Sequence, residues 1–148
     1  MKRILLDTEC WLWWHFHPER LNTQALAVFE ERRHPLLLSA ASSWEIAIKA
    51  ALERLELPSS PERFVPERMA EDGIDPLGIS HAHALGVARL PAHHADPFDR
   101  LLIAQAQVER CAILTADSQF FRYEVELFWA GQGRAPLAAP RRRGPRRR

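Results

Sequence analysis

Three short apolar runs divide the chain: residues 3–7 (RILLD), 35–39 (PLLLS) and 112–117 (AILTAD). Their apolar residues are consecutive and do not alternate with polar ones, which is typical of strands buried on both faces of a parallel sheet. Residues 123–130 (YEVELFWA) predict a last strand, and residues 76–80 (PLGIS) predict a further short one. We therefore expect a central, mostly parallel sheet.

Helical patterns separate these runs. Apolar residues recur at intervals of three and four, with charged residues between them, in five segments: 22–34, 42–55, 67–73, 80–91 and 96–111. Because strands and helices alternate without an internal repeat, the pattern predicts one α/β domain over residues 1–130, built as an α/β sandwich.

Several helix boundaries and faces follow from single residues. Asp96 is a natural N-cap, Pro97 a natural first helical residue, and Gly73 a natural stop at a helix C-terminus. In segment 42–55, we expect one face of large apolar side chains to pack on the core: Trp44, Ile48, Leu52 and Leu55.

Four acidic residues fall where predicted strands end or predicted helices begin. Asp7 ends the first strand and Asp117 follows the strand at residue 112, while Asp99 and Glu45 lie in the predicted first turns of two helices. In an open parallel sheet, ligands bind beyond the carboxyl ends of the strands, and the following helices start at that same edge. We therefore expect the four carboxylates to converge on one rim.

Four carboxylates in one cleft repel one another, and some must be protonated unless a cation is bound. Mg²⁺ and Mn²⁺ favour oxygen ligands and keep bound water molecules. Such a site activates water and stabilises charge on a phosphoryl oxygen, so the chemistry that fits is phosphodiester hydrolysis.

Each acid also has a purely structural explanation. Ser42 and Glu45 have the spacing of a capping box, and Asp99 stands at a third helical position, where an acid interacts favourably with the helix dipole. Asp117 fits a turn after a strand. Asp7 is the hardest to explain in this way, because a carboxylate after a buried strand costs free energy unless it has a partner.

Four segments, in this order and spacing, resemble the PIN-domain ribonucleases, and among them the VapC-type toxins of bacterial toxin–antitoxin pairs: LLDTECWLWW, SAASSWEIAIKAALERL, HHADPFDRLLIAQA and ILTAD. The resemblance extends from about Lys2 to Trp129. It implies a three-layer α/β/α sandwich with a mostly parallel central sheet. The implied activity is metal-dependent cleavage of single-stranded RNA by an endonuclease that uses Mg²⁺ or Mn²⁺.

The acids of the family correspond to the same four residues that the strand and helix pattern selects. On this basis, Asp7 and Asp99 anchor the first metal ion, and Asp117 completes its shell or reaches a second ion. Glu45 orients or deprotonates the attacking water, directly or through the metal.

Accessory positions and departures from the family remain open. Thr8 and Thr115 match small hydroxyl positions of the family and either bind metal-bound water or form turns. Arg100 either contacts a phosphate or forms a surface salt bridge. Relatives often have His where this chain has Glu9, and a small or acidic residue where it has Ser118, so the number of metal ions is open.

The resemblance also implies partners. Family members commonly act as homodimers, are blocked by a cognate antitoxin, and inhibit translation when free, with transfer RNA and ribosomal RNA as plausible substrates. Two alternatives stay open. One is a housekeeping PIN nuclease in RNA processing, and the other is a catalytically inactive PIN module that binds RNA or protein.

The net charge of +1 hides an asymmetry along the chain. Residues 1–133 have a net charge of −6, whereas the residues from Arg134 onward contain seven Arg and no acid. We interpret residues 131–148, which are rich in Arg and Pro, as a disordered basic tail. The tail either improves solubility or acts as an arm for nucleic-acid phosphates.

The remaining features favour a cytoplasmic protein without a membrane or zinc role. No apolar run approaches the roughly 20 residues of a membrane span, and the first residues, MKRILLDTE, do not form a signal peptide. We expect Cys10 and Cys111 to be buried thiols in a reducing compartment. The His pairs lack zinc-site spacing, although His93 and His94 lie near the predicted rim and could contact substrate.

Overall fold

The structure is a computed structural model in which residues 2–136 are described. The strands are β1 (Ile4–Leu6), β2 (Leu36–Ser39), β3 (Asp75–Leu77), β4 (Ala112–Thr115) and β5 (Leu127–Trp129). The α-helices are α1 (Thr8–Phe16), α2 (Thr23–Glu31), α3 (Ala40–Ala51), α4 (Pro61–Asp72), α5 (His81–Gly86) and α6 (Pro97–Glu109). Three short 3₁₀ turns lie at Pro18–Arg20, Val87–Arg89 and Ser118–Arg122. Most of the predicted basic tail, residues 137–148, lies outside the described residues.

All five strands are parallel and lie in the order β3-β2-β1-β4-β5, which confirms the predicted sheet. The chain moves outward from β1 to β2 and β3, and then returns to place β4 on the other side of β1. The strand order therefore reverses between β1 and β4. The carboxyl ends of these two strands border the crevice where open α/β sheets bind ligands.

Helices cover both faces of the sheet, as the α/β/α prediction requires. Ile4 and Leu6 face a cluster that includes side chains of α1, α2 and α4, whereas Leu5 faces a cluster that includes α6. The three residues of β1 are 0% exposed. The continuous apolar run thus arises because both faces of the central strand are covered by helices.

The start of α3 corrects one prediction. The helix begins at Ala40, directly after β2, and the side chain of Ser39 caps it by accepting the Ala41 N–H at 3.0 Å. Ser42 consequently lies inside the helix and Glu45 lies in its second turn, so the predicted Ser42–Glu45 capping box is wrong. The strand ends in a residue that can itself cap the helix, and no loop is needed between them.

The predicted core face is wrong at Trp44 and Leu52, whereas Ile48 is half-buried and Leu55, beyond the end of α3, packs against the core. Trp44 is 59% exposed and Leu52 is 57% exposed. The buried face consists of smaller or polar side chains together with one isoleucine: Ala41, Ser42, Glu45 and Ile46. Small side chains allow α3 to approach α1 closely, where the Thr8 hydroxyl donates to Ser42 Oγ at 2.7 Å. Helical periodicity alone does not distinguish that face from the larger apolar one.

Helix α1 was not predicted, because its run of aromatic residues has no polar face. Trp11 and Cys10 are 0% exposed and belong to the core. Cys10 and Cys111 are both buried and free, as expected. Within residues 2–136, no helix combines the length and the apolar character that a membrane span requires.

Candidate active site

Asp7 lies at the carboxyl end of β1, directly before the start of α1. The residue is only 7% exposed. Thr115, at the end of β4, donates its hydroxyl to Asp7 Oδ2 at 2.8 Å and accepts the Asp117 N–H at 3.0 Å. The Asp7 side chain makes no capping hydrogen bond to α1. The Asp7 carboxylate is therefore held by a residue of the neighbouring strand and does not cap the helix.

Asp99 is placed by the first turn of α6. Asp96 caps this helix, as predicted, because its Oδ1 accepts the N–H groups of Phe98 at 2.8 Å and Asp99 at 3.3 Å. Pro97 occupies the first helical position. Since Asp96 satisfies the helix terminus, the carboxylate of Asp99 remains available to other groups.

Asp117 combines the turn role and the rim position that the sequence left as alternatives. Its Oδ1 accepts the Gln119 N–H at 2.9 Å and starts the 3₁₀ turn after β4. Its Oδ2 lies 2.8 Å from His94 Nε2. The two oxygens of one carboxylate thus have different partners.

His94 is the residue that the sequence did not select for the site itself. Its Nε2 lies 3.0 Å from Asp99 Oδ2 as well as 2.8 Å from Asp117 Oδ2. Ligand atoms of these three residues lie within 4.8 Å of one another and could hold a metal ion. The available signal was the position of His94, two residues before the helix cap in HHADPFD.

Glu45 extends the acidic surface from the side of α3. It is 7% exposed, and its Oε2 lies 3.2 Å from Lys49 Nζ, one helical turn later. Glu45 and Asp7 lie outside the tight trio of His94, Asp99 and Asp117. Their negative charges nevertheless act on the same space, because each of them raises the pKa of Asp99.

The electrostatics of the site are those of an uncompensated acidic cluster. Burial raises the pKa of Asp7 to about 7, and the charges of Glu9 and Glu45 add to the effect, against the Thr115 hydrogen bond. The pKa of Asp99 rises to about 8 through burial first and then through its acidic neighbours: Asp7, Asp96, Glu45 and Asp117. The protein thus disfavours ionisation of these groups unless positive charge is added.

The accessory residues have specific partners. Thr8 is buried on Ser42, whereas Thr115 contacts Asp7 directly. Arg100 donates to the backbone carbonyls of Pro91 at 2.8 Å, Val87 at 3.3 Å and Leu90 at 3.4 Å. Its guanidinium fixes the loop before α6 and is not in a salt bridge with any described residue. A contact between Arg100 and phosphate stays a prediction.

The two departures from the family lie at the edge of the crevice. Glu9 and Ser118 are both exposed. Glu9 still contributes to the raised pKa of Asp7, so it lies close enough to add negative charge to the site.

Comparison with known proteins agrees with this arrangement. The PIN-domain family matches residues 4–126. The chain belongs to the PIN-domain family. It is also 44% identical over 73 residues to ribonuclease VapC16 of Mycobacterium tuberculosis, a match that covers 47% of this chain and 51% of that protein. The chain therefore aligns with about half the length of this curated relative, and the resemblance to VapC-type proteins is confirmed there.

Solved structures share the fold at low sequence identity. VapBC2 from Rickettsia felis, bound to a DNA fragment from its promoter, matches with a TM-score of 0.64 at 12% identity, over 86% of this chain and 98% of that one. FitAcB from Neisseria gonorrhoeae matches with a TM-score of 0.59 at 21% identity, over 84% of this chain and 96% of that one. A toxin–antitoxin complex from Klebsiella pneumoniae matches with a TM-score of 0.57 at 18% identity, over 84% of this chain and 95% of that one. These likenesses confirm the PIN-like fold.

Proposed function

We propose that this PIN-domain protein is a metal-dependent endoribonuclease that hydrolyses phosphodiester bonds in RNA. One observation carries the proposal: acidic side chains with raised pKa values lie at the crevice where the strand order reverses. The match to a protein named as a ribonuclease supports the same activity.

The donor set fits Mg²⁺ or Mn²⁺. Asp7, Asp99 and Asp117 would hold the ion, because they supply carboxylate oxygens, which hard divalent cations prefer. The raised pKa values of Asp7 and Asp99 are the expected mark of such a site without its cation, since adding positive charge relieves both burial and repulsion. Whether one ion or two binds stays a prediction.

The roles of the side chains follow from their positions. A bound divalent cation makes water more acidic and stabilises negative charge on a phosphoryl oxygen. Glu45, buried beside the other acids, orients the attacking water or accepts its proton. The Lys49 ammonium lies 3.2 Å from Glu45 Oε2 and holds that side chain in place. Thr115 holds Asp7 toward the crevice through its hydrogen bond of 2.8 Å.

Partners and biological role extend the proposal. We infer that the protein is the toxin of a toxin–antitoxin pair, inhibits translation when free, acts as a homodimer, and is restrained by an antitoxin protein in the cytoplasm. Structural neighbours solved as toxin–antitoxin complexes support an antitoxin partner. Transfer RNA or ribosomal RNA as substrate stays a prediction. Expression without an antitoxin should arrest growth, and expression of Asp99→Asn should be tolerated.

The deciding experiment is cleavage of a mixed pool of small RNAs by the purified protein with Mg²⁺, with Mn²⁺ and with EDTA. We expect metal-dependent cleavage that EDTA abolishes and that Asp99→Asn reduces at least ~100-fold, about 2.7 kcal/mol in activation free energy. Asp96→Asn is the matched control, because asparagine still caps α6. Its activity should stay within a few-fold of wild type.

Absence of cleavage by folded protein free of antitoxin, under all three conditions, would contradict the nuclease proposal and favour an inactive binding module. Equal losses in Asp96→Asn and Asp99→Asn would show that total charge matters, and not the position of Asp99.

A further inference from the structure

His94 occupies a position between two of the acids, and its role is the open question of this site. We infer, on the basis of the proposed function, that His94 is a positioning residue: its Nε2–H holds Asp99 and Asp117 together for a shared divalent cation, and His94 is not itself a ligand of that cation. Nearness alone does not distinguish these roles, because Nε2 lies among the oxygens as a ligand atom would.

The backbone around His94 is held from two sides. The Tyr123 hydroxyl accepts the N–H groups of His93 at 3.1 Å and His94 at 2.7 Å. The Arg100 guanidinium donates to Pro91 O at 2.8 Å. The His94 ring packs edge-on against Phe120, with ring centroids 5.9 Å apart. The position of the imidazole is therefore fixed by the hydrogen-bonded backbone of the loop and by packing against the buried Phe120 ring.

The hydrogen bond at the other ring nitrogen decides between the two roles. The Asp96 N–H donates to His94 Nδ1 at 3.1 Å. A backbone amide always carries its hydrogen, so Nδ1 must present a lone pair and the ring proton must lie on Nε2. A protonated Nε2 has no lone pair for a metal ion. It is instead a donor toward Asp99 Oδ2 at 3.0 Å and Asp117 Oδ2 at 2.8 Å.

One N–H shared by two carboxylates brings them together despite their repulsion. Asp99 comes from α6 and Asp117 follows β4, so no local backbone geometry fixes the distance between them. Hydrogen-bond partners of metal ligands typically contribute about 10–100-fold to metal affinity. His94 acts on both carboxylates at once, and its contribution does not depend on which divalent ion is bound.

The test is calorimetric titration of Mg²⁺ and, separately, Mn²⁺ into the wild type, His94→Ala and His94→Gln. We expect His94→Ala to weaken both ions by about 10–100-fold and by the same factor. His94→Gln should recover much of the loss, because its side-chain amide can donate from a position close to Nε2. The matched control is His93→Ala, since within residues 2–136 no carboxylate bonds to the His93 ring. Its affinities should equal those of the wild type.

The outcomes separate the possible failures. A loss much larger for Mn²⁺ than for Mg²⁺, not rescued by glutamine, would make His94 a ligand, because imidazole favours the transition ion, and would overturn the inference. Unchanged affinities in both His94 variants would overturn it as well. A wild type that binds neither ion would overturn the proposed function itself. If His94→Ala does not fold, the metal affinities of His94→Gln and Tyr123→Phe are compared with those of the wild type instead. Tyr123→Phe removes the hydroxyl that accepts the His93 and His94 N–H groups, so it loosens the backbone that positions His94.

Discussion

Asp72 and Asp99 have nearly the same local surroundings and opposite acidities. Each side chain is 15% exposed, and each lies beside the Nε2 of a histidine that is 13% exposed, at 2.7 Å from His15 and 3.0 Å from His94. Burial raises the pKa of Asp72, but the hydrogen bond and charge of His15 and the indole N–H groups outweigh it and lower the pKa below its ordinary value. The pKa of Asp99 rises to about 8.

The difference lies in the second set of neighbours. Asp72 also accepts the Trp11 N–H at 3.1 Å, so donors surround it and it links α1 to α4. The other groups that act on Asp99 are acids. Burial and a histidine partner therefore do not mark a functional carboxylate. Accumulated like charge at a sheet edge does, because these carboxylates can ionise together only when a cation is bound.

The largest expected effect on stability comes from the satisfied carboxylate. Asp72→Ala leaves His15 and the Trp11 N–H without their acceptor and should lower the free energy of unfolding by about 3 kcal/mol. Urea unfolding measures the change. The control is Glu71→Ala, one residue earlier, whose ion pair with Arg68 is exposed and should contribute less than about 0.5 kcal/mol. Equal effects in the two variants would contradict the comparison.

Removing the charge of Asp99 should have the opposite effect and should stabilise the protein. Folded Asp99 keeps its proton up to about pH 8, whereas the unfolded chain loses it near the ordinary pKa of about 4. Stability of the metal-free protein should therefore fall as pH rises between these values. In EDTA, Asp99→Asn should be more stable than the wild type near pH 8 and nearly equal to it near pH 4.

Urea unfolding at the two pH values checks this expectation, with Asp72→Asn as the matched variant. That variant should be less stable than the wild type near pH 8, since the lowered pKa of Asp72 contributes stability above the ordinary range. Destabilisation of both variants near pH 8 would show that Asp99, too, has a satisfied charge.

Two buried threonine hydroxyls also differ in whether they contact an acid of the site: Thr115 does and Thr8 does not. Thr115→Val removes two hydrogen bonds, one to Asp7 and one from the Asp117 N–H, and should lower stability by about 2 kcal/mol. It should also raise the pKa of Asp7 above about 7, so that metal binding requires a higher pH. Thr8→Val is the control, because its hydroxyl donates to Ser42. We expect a loss of about 1 kcal/mol there without a shift in the pH profile of metal binding.

The sequence predicted the central strands and the rim well, because those features depend on local chemistry. Asp96 caps α6, Gly73 ends α4 with a φ of 68°, and the apolar runs form the parallel core. Asp7 and Asp117 could be placed at one edge because strand direction determines where strand ends lie.

The errors arose where packing between distant segments decides the structure. Helix α1 has no polar face, so only its burial against α4 makes it recognisable. Most of the buried face of α3 consists of small and polar side chains, which a pattern of large apolar residues does not reveal. His94 enters the site through Asp96, Tyr123 and the fold of the loop between them, none of which periodicity reports.

The smallest expected effect concerns the ion pair between Lys49 and Glu45, in which Glu45 is buried and only Lys49 reaches solvent. The Lys49 side chain is 48% exposed, so water screens the pair from the lysine side, and helical pairs one turn apart contribute about 0.3–0.5 kcal/mol. Lys49→Gln should therefore change the free energy of unfolding by less than about 0.5 kcal/mol in urea at low salt. Because the Lys49 ammonium lies 3.2 Å from Glu45 Oε2 and helps to hold that side chain in place, the same substitution should lower RNA cleavage several-fold. A stability loss approaching that of Asp72→Ala would mean that water does not screen this pair, and that the acidic rim is closed to solvent on the α3 side.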